Sequence, residues 1–226
     1  GEFLPMGVTT GSAPEITPPG RVTDILIDHR SDSQAVLSWS KPPETDFAGV
    51  LIIRRSGGPL LGDEVPVSGT TYAIGSVLGA AGQAEVIGIT KFESWDDVTL
   101  SSGYYDYGFF SFDTVNNYAA VSKVPVVNAT ASVWCTDETG SFSLSSPDSG
   151  TEFLQISENS ASLPDTEALY PPTGQAMGSG FPLALASPFT PDTTYYVRGV
   201  AAGLDGRYFS PDHEITASQA ALTVAG

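Results

Sequence analysis

The sequence predicts an all-β protein made of two tandem β-sandwiches, and three observations support this prediction. First, glycine and proline number 24 and 17 in 226 residues, and charged residues reach only 15%. This composition suits short strands joined by turns and disfavours helical bundles. Second, apolar segments of strand length recur with turn residues between them. Third, one strand pattern occurs twice along the chain, which indicates two copies of one fold.

The first half contains about seven segments with strand character, the number expected of an immunoglobulin-like sandwich. In residues 35–40, apolar and polar side chains alternate, which indicates a strand with one buried face that includes Trp39. Lys41-Pro42-Pro43 then ends this strand. The predicted strands are residues 22–27, 35–40, 49–55, 70–74, 84–89, 104–112 and 118–121.

The second half follows the same scheme more loosely. A shift of 90 residues places Tyr105 on Tyr195 and Tyr107 on Val197, which are alternate positions on one face of a strand. Asp205-Gly206 predicts a hairpin turn, whereas residues 163–188 are rich in proline and glycine. The predicted strands are residues 130–135, 141–146, 153–157, 181–185, 195–202, 208–209 and 215–224.

These segments divide the chain into three parts. Residues 1–20 predict a flexible or extended leader, and its first three residues, Gly-Glu-Phe, are typical of a cloning scar. Residues 21–125 form the first predicted sandwich and residues 126–226 the second, joined by a short, stiff connection. The sequence shows no signal peptide, so it gives no direct sign of export.

The charge of the chain excludes two classes of partner. The net charge is −17, and such a chain repels nucleic-acid phosphates and anionic lipid surfaces. No apolar run approaches the roughly 20 residues that a membrane-spanning helix needs. We therefore expect neither nucleic-acid binding nor membrane insertion by this segment.

Oxygen-rich segments make calcium the one cofactor to consider. Asp96 and Asp97 lie in one predicted loop, and Asp113 and Asn116 lie in another; Ca²⁺ prefers such carboxylate and amide oxygens. The alternative is that these residues serve turns, because Asp and Asn bond their own backbone. Otherwise we expect no cofactor: one cysteine, Cys135, and two histidines do not suit a zinc site.

Three aromatic residues are candidates for ligand contact. Trp95 lies between acidic residues and could stack on a sugar ring or plug the end of the sandwich. Tyr104 precedes Tyr105, and Tyr196 follows Tyr195. Because successive strand residues point to opposite faces and we expect Tyr105 and Tyr195 to point inward, we expect Tyr104 and Tyr196 to point outward. They suit either partner contacts or ordinary cross-strand pairs.

No motif in the sequence points to catalysis. A Gly-x-Ser-x-Gly elbow, a Walker motif and a Gly-x-Gly-x-x-Gly loop are all absent. Asp212-His213-Glu214 places carboxylates beside a histidine, which suits a solvated turn better than a nucleophile pair. We therefore predict that the chain is not an enzyme.

Several segments of the first half resemble fibronectin type III domains of bacterial secreted and surface proteins. Residues 37–43, Leu-Ser-Trp-Ser-Lys-Pro-Pro, are similar to the second strand of that family, with its buried tryptophan and proline-rich turn. Residues 47–55, 69–72 and 105–113 are similar to later landmarks. The resemblance implies an immunoglobulin-like sandwich and an extracellular or cell-surface location, secreted or periplasmic.

The second half resembles the same family at residues 189–198, the corner between the fifth and sixth strands. The resemblance implies that Tyr105 and Tyr195 each bond through the hydroxyl group to nearby backbone. This half departs from the family because its second strand carries Leu144 and no tryptophan. Trp134 on the preceding strand could fill that volume, and a different sandwich topology stays open.

Together these features predict a non-catalytic extracellular or cell-surface module for binding, adhesion or spacing within a larger protein. Its partners would be proteins or glycans on a cell surface or in the matrix. One alternative is a glycan-binding accessory pair of a secreted polysaccharide-degrading enzyme. The other is a stand-alone hydrolase, which needs a pair of carboxylates in a cleft.

Overall fold

The structure is a computed structural model that describes residues 16–31, 33–101, 104–124, 128–131, 139–145, 151–158, 169–176, 181–184 and 193–217. These residues form fifteen β-strands and no helix, so the predicted all-β class is confirmed. In this described part, no helix is long and apolar enough to cross a membrane.

Two sheets pack face to face in the first half. One contains β1, β2 and β6 in that order, and the other has the order β4-β5-β3-β7. This distribution of sequential strands between two sheets is the immunoglobulin-like arrangement. The strands are β1 (Thr23–Ser31), β2 (Gln34–Ser40), β3 (Phe47–Ser56), β4 (Val77–Leu78), β5 (Ala84–Thr90), β6 (Ser94–Asp97) and β7 (Tyr105–Asp113).

The main core lies between these two sheets. Leu37 and Trp39 on β2 contribute to it from one side, and Ile52 and Phe109 on β3 and β7 from the other. The rings of Trp39 and Phe109 lie 5.3 Å apart, and only 4% of Trp39 is exposed. The predicted burial of Trp39 is confirmed.

Three strand predictions in the first half were wrong. Residues 70–74 form no strand: although their composition suits one, Tyr72 packs on the outer face of the β4-β5-β3-β7 sheet. Residues 118–121 form no strand either, because Tyr118 and the following Ser122 each make only an isolated bridge to β7. Conversely, the acidic segment predicted to be a loop contains β6, in which Trp95 and Asp97 point inward.

A long segment between β3 and β5 covers the outer face of the second sheet. Leu51, Ile53 and Phe110 form a second buried cluster on this face, and Leu60 and Tyr72 from the covering segment pack on it. Strand β3 therefore carries consecutive buried apolar residues, because both of its faces are covered.

The second half adds eight strands: β8 (Asn128–Ala131), β9 (Thr139–Ser145), β10 (Thr151–Ser157), β11 (Leu169–Ala176), β12 (Phe181–Ala184), β13 (Thr193–Ala202), β14 (Gly206–Phe209) and β15 (His213–Ala217). Three of them form a sheet of order β12-β9-β8. The others join β1, giving the order β11-β10-β13-β14-β1-β2-β6, with β15 also paired to β13.

The sequence did not predict β11, which lies in the segment rich in proline and glycine. Its pairing with β10 shifts register between Glu152 and Leu154, and Pro171 and Pro172 lie within the strand. Proline cannot donate to a ladder, so such a strand is confined to the edge of a sheet, where β11 lies.

One of the two predicted tyrosine corners is confirmed. The Tyr105 hydroxyl accepts a hydrogen bond from the Ser101 N–H at 3.1 Å and lies 2.7 Å from the Ser101 Oγ. Tyr195 is buried, but residues 185–192, where its corner would lie, are outside the described residues. Trp134 and the boundary at residues 125–127 are outside them too, so the domain limits stay a prediction.

Candidate functional site at the junction of the two halves

The two halves meet through a pair of parallel strands. Strand β1 of the first half lies beside β14 of the second, with Ile25 opposite Gly206 and Ile27 opposite Tyr208. The Ile25 N–H donates to the Asp205 carbonyl at 2.9 Å. One continuous sheet therefore contains strands from both halves.

Gly206 allows this close approach. A Cβ at this position would collide with the Ile25 carbonyl oxygen and lie 2.6 Å from the carbonyl carbon. Its φ of +154° is also one that other residues rarely adopt. Asp205-Gly206 belongs to the hairpin that the sequence predicted, in which the Gly203 N–H donates to the Gly206 carbonyl at 2.9 Å.

An apolar row crosses the junction on the face that points to the main core. The register aligns one buried or half-buried residue from each of five adjacent strands. All five belong to or pack against one core cluster, which also includes Tyr195 and Val197. The row is Ala201, Tyr208, Ile27, Leu37 and Trp95. The main core is therefore shared by the two halves.

Tyr208 is the polar member of this row. Its hydroxyl lies 2.9 Å from Nδ1 of His29, on β1. Burial raises the pKa of Tyr208 far above its ordinary value, and the nearby Tyr104 raises the pKa further. The Tyr208 hydroxyl therefore stays protonated in the folded protein at neutral pH.

A buried arginine joins the halves on the opposite face of the sheet. Only 3% of Arg198, on β13, is exposed. It donates to Asp28 of β1 at 3.2 Å and to Gln155 of β10 at 2.7 Å. Its guanidinium carbon also lies 4.2 Å from the centre of the Phe209 ring. Because a buried guanidinium needs such partners, Arg198 favours the arrangement that brings Asp28 to it.

A third contact lies at the hairpin tip. Asp205 accepts hydrogen bonds from Arg21 at 2.6 Å and from the Lys123 N–H at 3.0 Å. Arg21 also donates to the Val121 carbonyl. The second half thus holds both the segment before β1 and the segment after β7.

The structure separates the first pair of candidate calcium ligands. Asp96 is exposed and Asp97 is buried, because successive residues of β6 point to opposite faces. Asp97 accepts two hydrogen bonds from Arg54, at 2.9 and 2.8 Å, and one from the Tyr107 hydroxyl at 3.0 Å. The two carboxylates therefore do not converge on one point.

The second pair lies in a tight turn after β7. Asp113 accepts hydrogen bonds from the N–H groups of Val115 and Asn117 at 2.9 and 2.8 Å. Asn116 has a φ of +64°, and its N–H donates to the Asp113 carbonyl at 3.1 Å. Both residues thus have the turn roles that the sequence left open, and calcium binding here stays a prediction. No group of three or more metal-ligating residues occurs in the described parts of the chain.

The three candidate aromatic residues are at least partly buried. The Trp95 ring packs on the core, and a Cβ on Gly88 of the facing sheet would lie 2.9 Å from it, as for a plug. Tyr104 packs on the same core, so its predicted outward position is wrong. Tyr196 is half-buried between Ser157 and Glu214. Ligand contact by these residues stays a prediction.

Sequence reasoning missed two adjacent arginines on β3. Arg54 points to the inner face and pairs with Asp97 of the opposite sheet at 2.8 Å. Arg55 points to the outer face and pairs with the fully buried Glu64 of the covering segment at 2.9 Å. The signal available was their position at the end of an apolar strand, because an arginine there needs an acidic partner.

Tyr107 belongs to the inner arginine cluster. Burial raises its pKa far above the ordinary value, and the neighbouring Asp97 raises it further. The hydroxyl therefore remains a donor to Asp97, and the cluster links β3, β6 and β7. These charges hold strands together.

Comparison with known proteins assigns no family. No family model and no curated protein matches the chain. Among solved structures, the chain is similar to the FN1–FN3 domains of chicken CNTN1, at 12% identity and a TM-score of 0.31. The match covers 91% of this chain and 67% of that one. At these values the likeness supports no statement about function.

Proposed function

We propose that the chain is a non-catalytic module that holds other parts of a larger extracellular protein at a fixed spacing and presents surfaces for binding. The observation that carries this proposal is the continuous sheet through β1 and β14. A flexible linker would let two sandwiches reorient, whereas a shared sheet and a shared core do not. A module of this kind transmits a defined geometry between whatever precedes and follows it.

The pairing of buried arginines with carboxylates supports the non-catalytic part of the proposal. Arg54, Arg55 and Arg198 each pair with a carboxylate of another strand or segment. A catalytic acid or base must instead lie within hydrogen-bonding reach of a bound substrate. In the part of the chain that the structure describes, these three pairs connect elements of the fold. Turnover of a polymer substrate, lost on substitution of one carboxylate, would contradict this part.

Surface presentation is the second part of the proposal. The net charge of −17 favours cationic proteins or neutral glycans as partners over nucleic acid. An extracellular or cell-surface location agrees with this role. No specific observation favours glycan binding, because Trp95 and Tyr104 both pack on the core.

The fixed spacing is tested by distances between spin labels on the two halves. Val115 of the first half and Glu158 of the second are exposed and suit replacement by cysteine, in a Cys135→Ser background. We expect a narrow distance distribution, as wide as that of a control pair at Val115 and Val98 within the first half. A broad or multimodal distribution for the first pair alone would contradict the proposal.

A further inference from the structure

The first and last strands of the described residues lie along one continuous sheet. Strand β1 runs parallel to β14, with Ile25 opposite Gly206. Strands β14 and β15 follow each other along β13, because residues 200–202 of β13 pair with β14 and residues 193–197 pair with β15. The start of β1 and the end of β15 therefore lie at opposite ends of one line of strands.

This arrangement determines how a pull along the chain acts on the junction. A pull on the segment before β1 draws β1 towards its own start, and a pull on the segment after β15 draws β14 and β15 towards their ends. Because β1 and β14 are parallel, the two pulls slide these strands past each other along their axes. Ladder hydrogen bonds run across the strands, so sliding loads all of them together, whereas peeling from one end breaks them one at a time.

The ladder between β1 and β14 starts at the hairpin tip. The Ile25 N–H donates to the Asp205 carbonyl at 2.9 Å. With this bond and a parallel register, the next bonds of the ladder join Arg207 to Ile25 and Ile27. The backbone of β14 is thus held by β1 along the length of the pair.

Side-chain contacts connect the same two regions, which are far apart along the chain. Arg21 donates to Asp205 at 2.6 Å across a separation of 184 residues. Arg198 donates to Asp28 at 3.2 Å across a separation of 170 residues. A force that crosses from β1 to β14 therefore bypasses the residues between them, which include most of both halves.

We propose that the module bears tension, and that the β1–β14 junction transmits a pull from the segment before β1 to the segment after β15. This inference deepens the proposed function and rests on it, because a spacer keeps its geometry under load when its two ends are joined directly. Two halves connected only end to end would instead both lie in the path of the force. Here neither half is stretched along its own chain while the junction holds.

Single-molecule pulling of the full chain in two directions tests the proposal. In a Cys135→Ser background, one handle is attached to the N-terminus in both experiments. The other is attached to the C-terminus, which slides β14 along β1, or to Leu204→Cys, at a fully exposed residue of the hairpin tip. The second pull draws the tip away from the start of β1 and peels the same ladder from one end. The same bonds break in both directions, so differences in stability do not affect the comparison.

Arg207 offers a matched pair of variants for the sliding direction. Its side chain is exposed, while its backbone belongs to the ladder. Arg207→Pro removes the N–H that bonds to Ile25, and Arg207→Ala keeps it. We expect the proline variant to unfold at a lower force and the alanine variant to match the parent. A folded Arg207→Pro protein with the parental unfolding force would overturn the proposal; if this variant does not fold, the two pulling directions on the parent chain decide.

We expect sliding to need at least about twice the force of peeling at the same loading rate, because forced unfolding depends on the barrier and not on the equilibrium stability. Under the sliding pull, neither half should unfold before the junction breaks. Equal forces in the two directions, or release of one half alone at a lower force, would overturn the tension-bearing role. The proposed function would survive these results if the spin-label distances are narrow, because those distances are measured without load.

Discussion

Strands β1 and β4 lie at two edges of the first sandwich and differ in what lies beside them. Strand β1 pairs with β14 along a register that begins at Ile25 and Gly206. Strand β4 has β5 on one side and carries one exposed apolar residue, Val77. The difference shows that one edge of the first sandwich joins the rest of the chain here, while the other ends its sheet with a short strand.

At the covered edge, side-chain contacts join the two halves on both faces of the sheet and at the hairpin tip. Arg198 and Asp28 join the halves on one face, Tyr208 and Ile27 on the other, and Asp205 at the hairpin tip. At the other edge, Val77 pairs with Glu85 of β5, and 59% of Val77 is exposed. Changes at β1 and β14 should therefore destabilise the fold more than changes at β4.

Gly206→Ala should have the largest effect, because the added Cβ collides with the Ile25 backbone. Forcing a methyl group into such a close contact costs about 3 kcal/mol of the free energy of unfolding. Urea unfolding of the parent and the variant measures this difference. The control is Gly62→Ala, where a Cβ meets nothing within 4 Å. Equal losses for the two variants would contradict the close approach of β14 to β1.

Alkaline pH should weaken the covered edge through Tyr208. Burial raises its pKa in the folded state, so above pH about 10 the unfolded chain loses a proton that the folded chain keeps. Stability is therefore retained below that pH and falls above it, by about 1.4 kcal/mol per pH unit for each such tyrosine. Unfolding at two alkaline pH values should show a shallower loss for Tyr208→Phe than for the parent. If stability falls with pH equally steeply in Tyr208→Phe and in the parent, Tyr208 is exposed to solvent and not buried.

Arg21→Ala should have a smaller effect at the hairpin tip. The Arg21 side chain is 46% exposed, so solvent screens its pair with Asp205. We expect a loss below about 1 kcal/mol that decreases further as salt is added. Urea unfolding at low and high salt measures it. A loss as large as that of Gly206→Ala would show that the tip, and not the strand pairing, holds the junction.

Adding Ca²⁺ should not change the stability of the protein at either edge. The oxygens of Asp97 and Asp113 accept hydrogen bonds from Arg54, Tyr107 and backbone N–H groups. The melting temperature should therefore be the same with EDTA and with Ca²⁺. If a site exists and the Ca²⁺ concentration is 100 times its dissociation constant, binding would instead add about 2.7 kcal/mol, and an increase of that size would support the predicted cation site.

The elements that the sequence predicted correctly are those with local signals. Alternation around Trp39 predicted β2, and the adjacent prolines predicted its end. Asp205-Gly206 predicted the hairpin, and the family resemblance around Tyr105 implied the corner that Ser101 completes. Each signal depends on residues close together along the chain.

The junction has no such signal. Ile25 and Gly206 are far apart in sequence, and nothing in the pattern of either strand specifies a parallel partner. Likewise, Glu93 to Asp97 resembled a loop because its charges hid the alternation of Trp95 and Asp97. Asp97 is compatible with an inward position only because Arg54 lies opposite, on a strand more than forty residues away.

Hydrogen exchange at the Ile25 amide tests the central claim most directly. This N–H donates to the Asp205 carbonyl across the junction, so its exchange requires the two halves to separate. We predict that Ile25 exchanges as slowly as the buried amides of β3, while the Val77 amide at the open edge exchanges rapidly in dilute solution. Rapid exchange at Ile25, at the rate of Val77, would show that β1 is as open as β4 and would contradict the shared sheet.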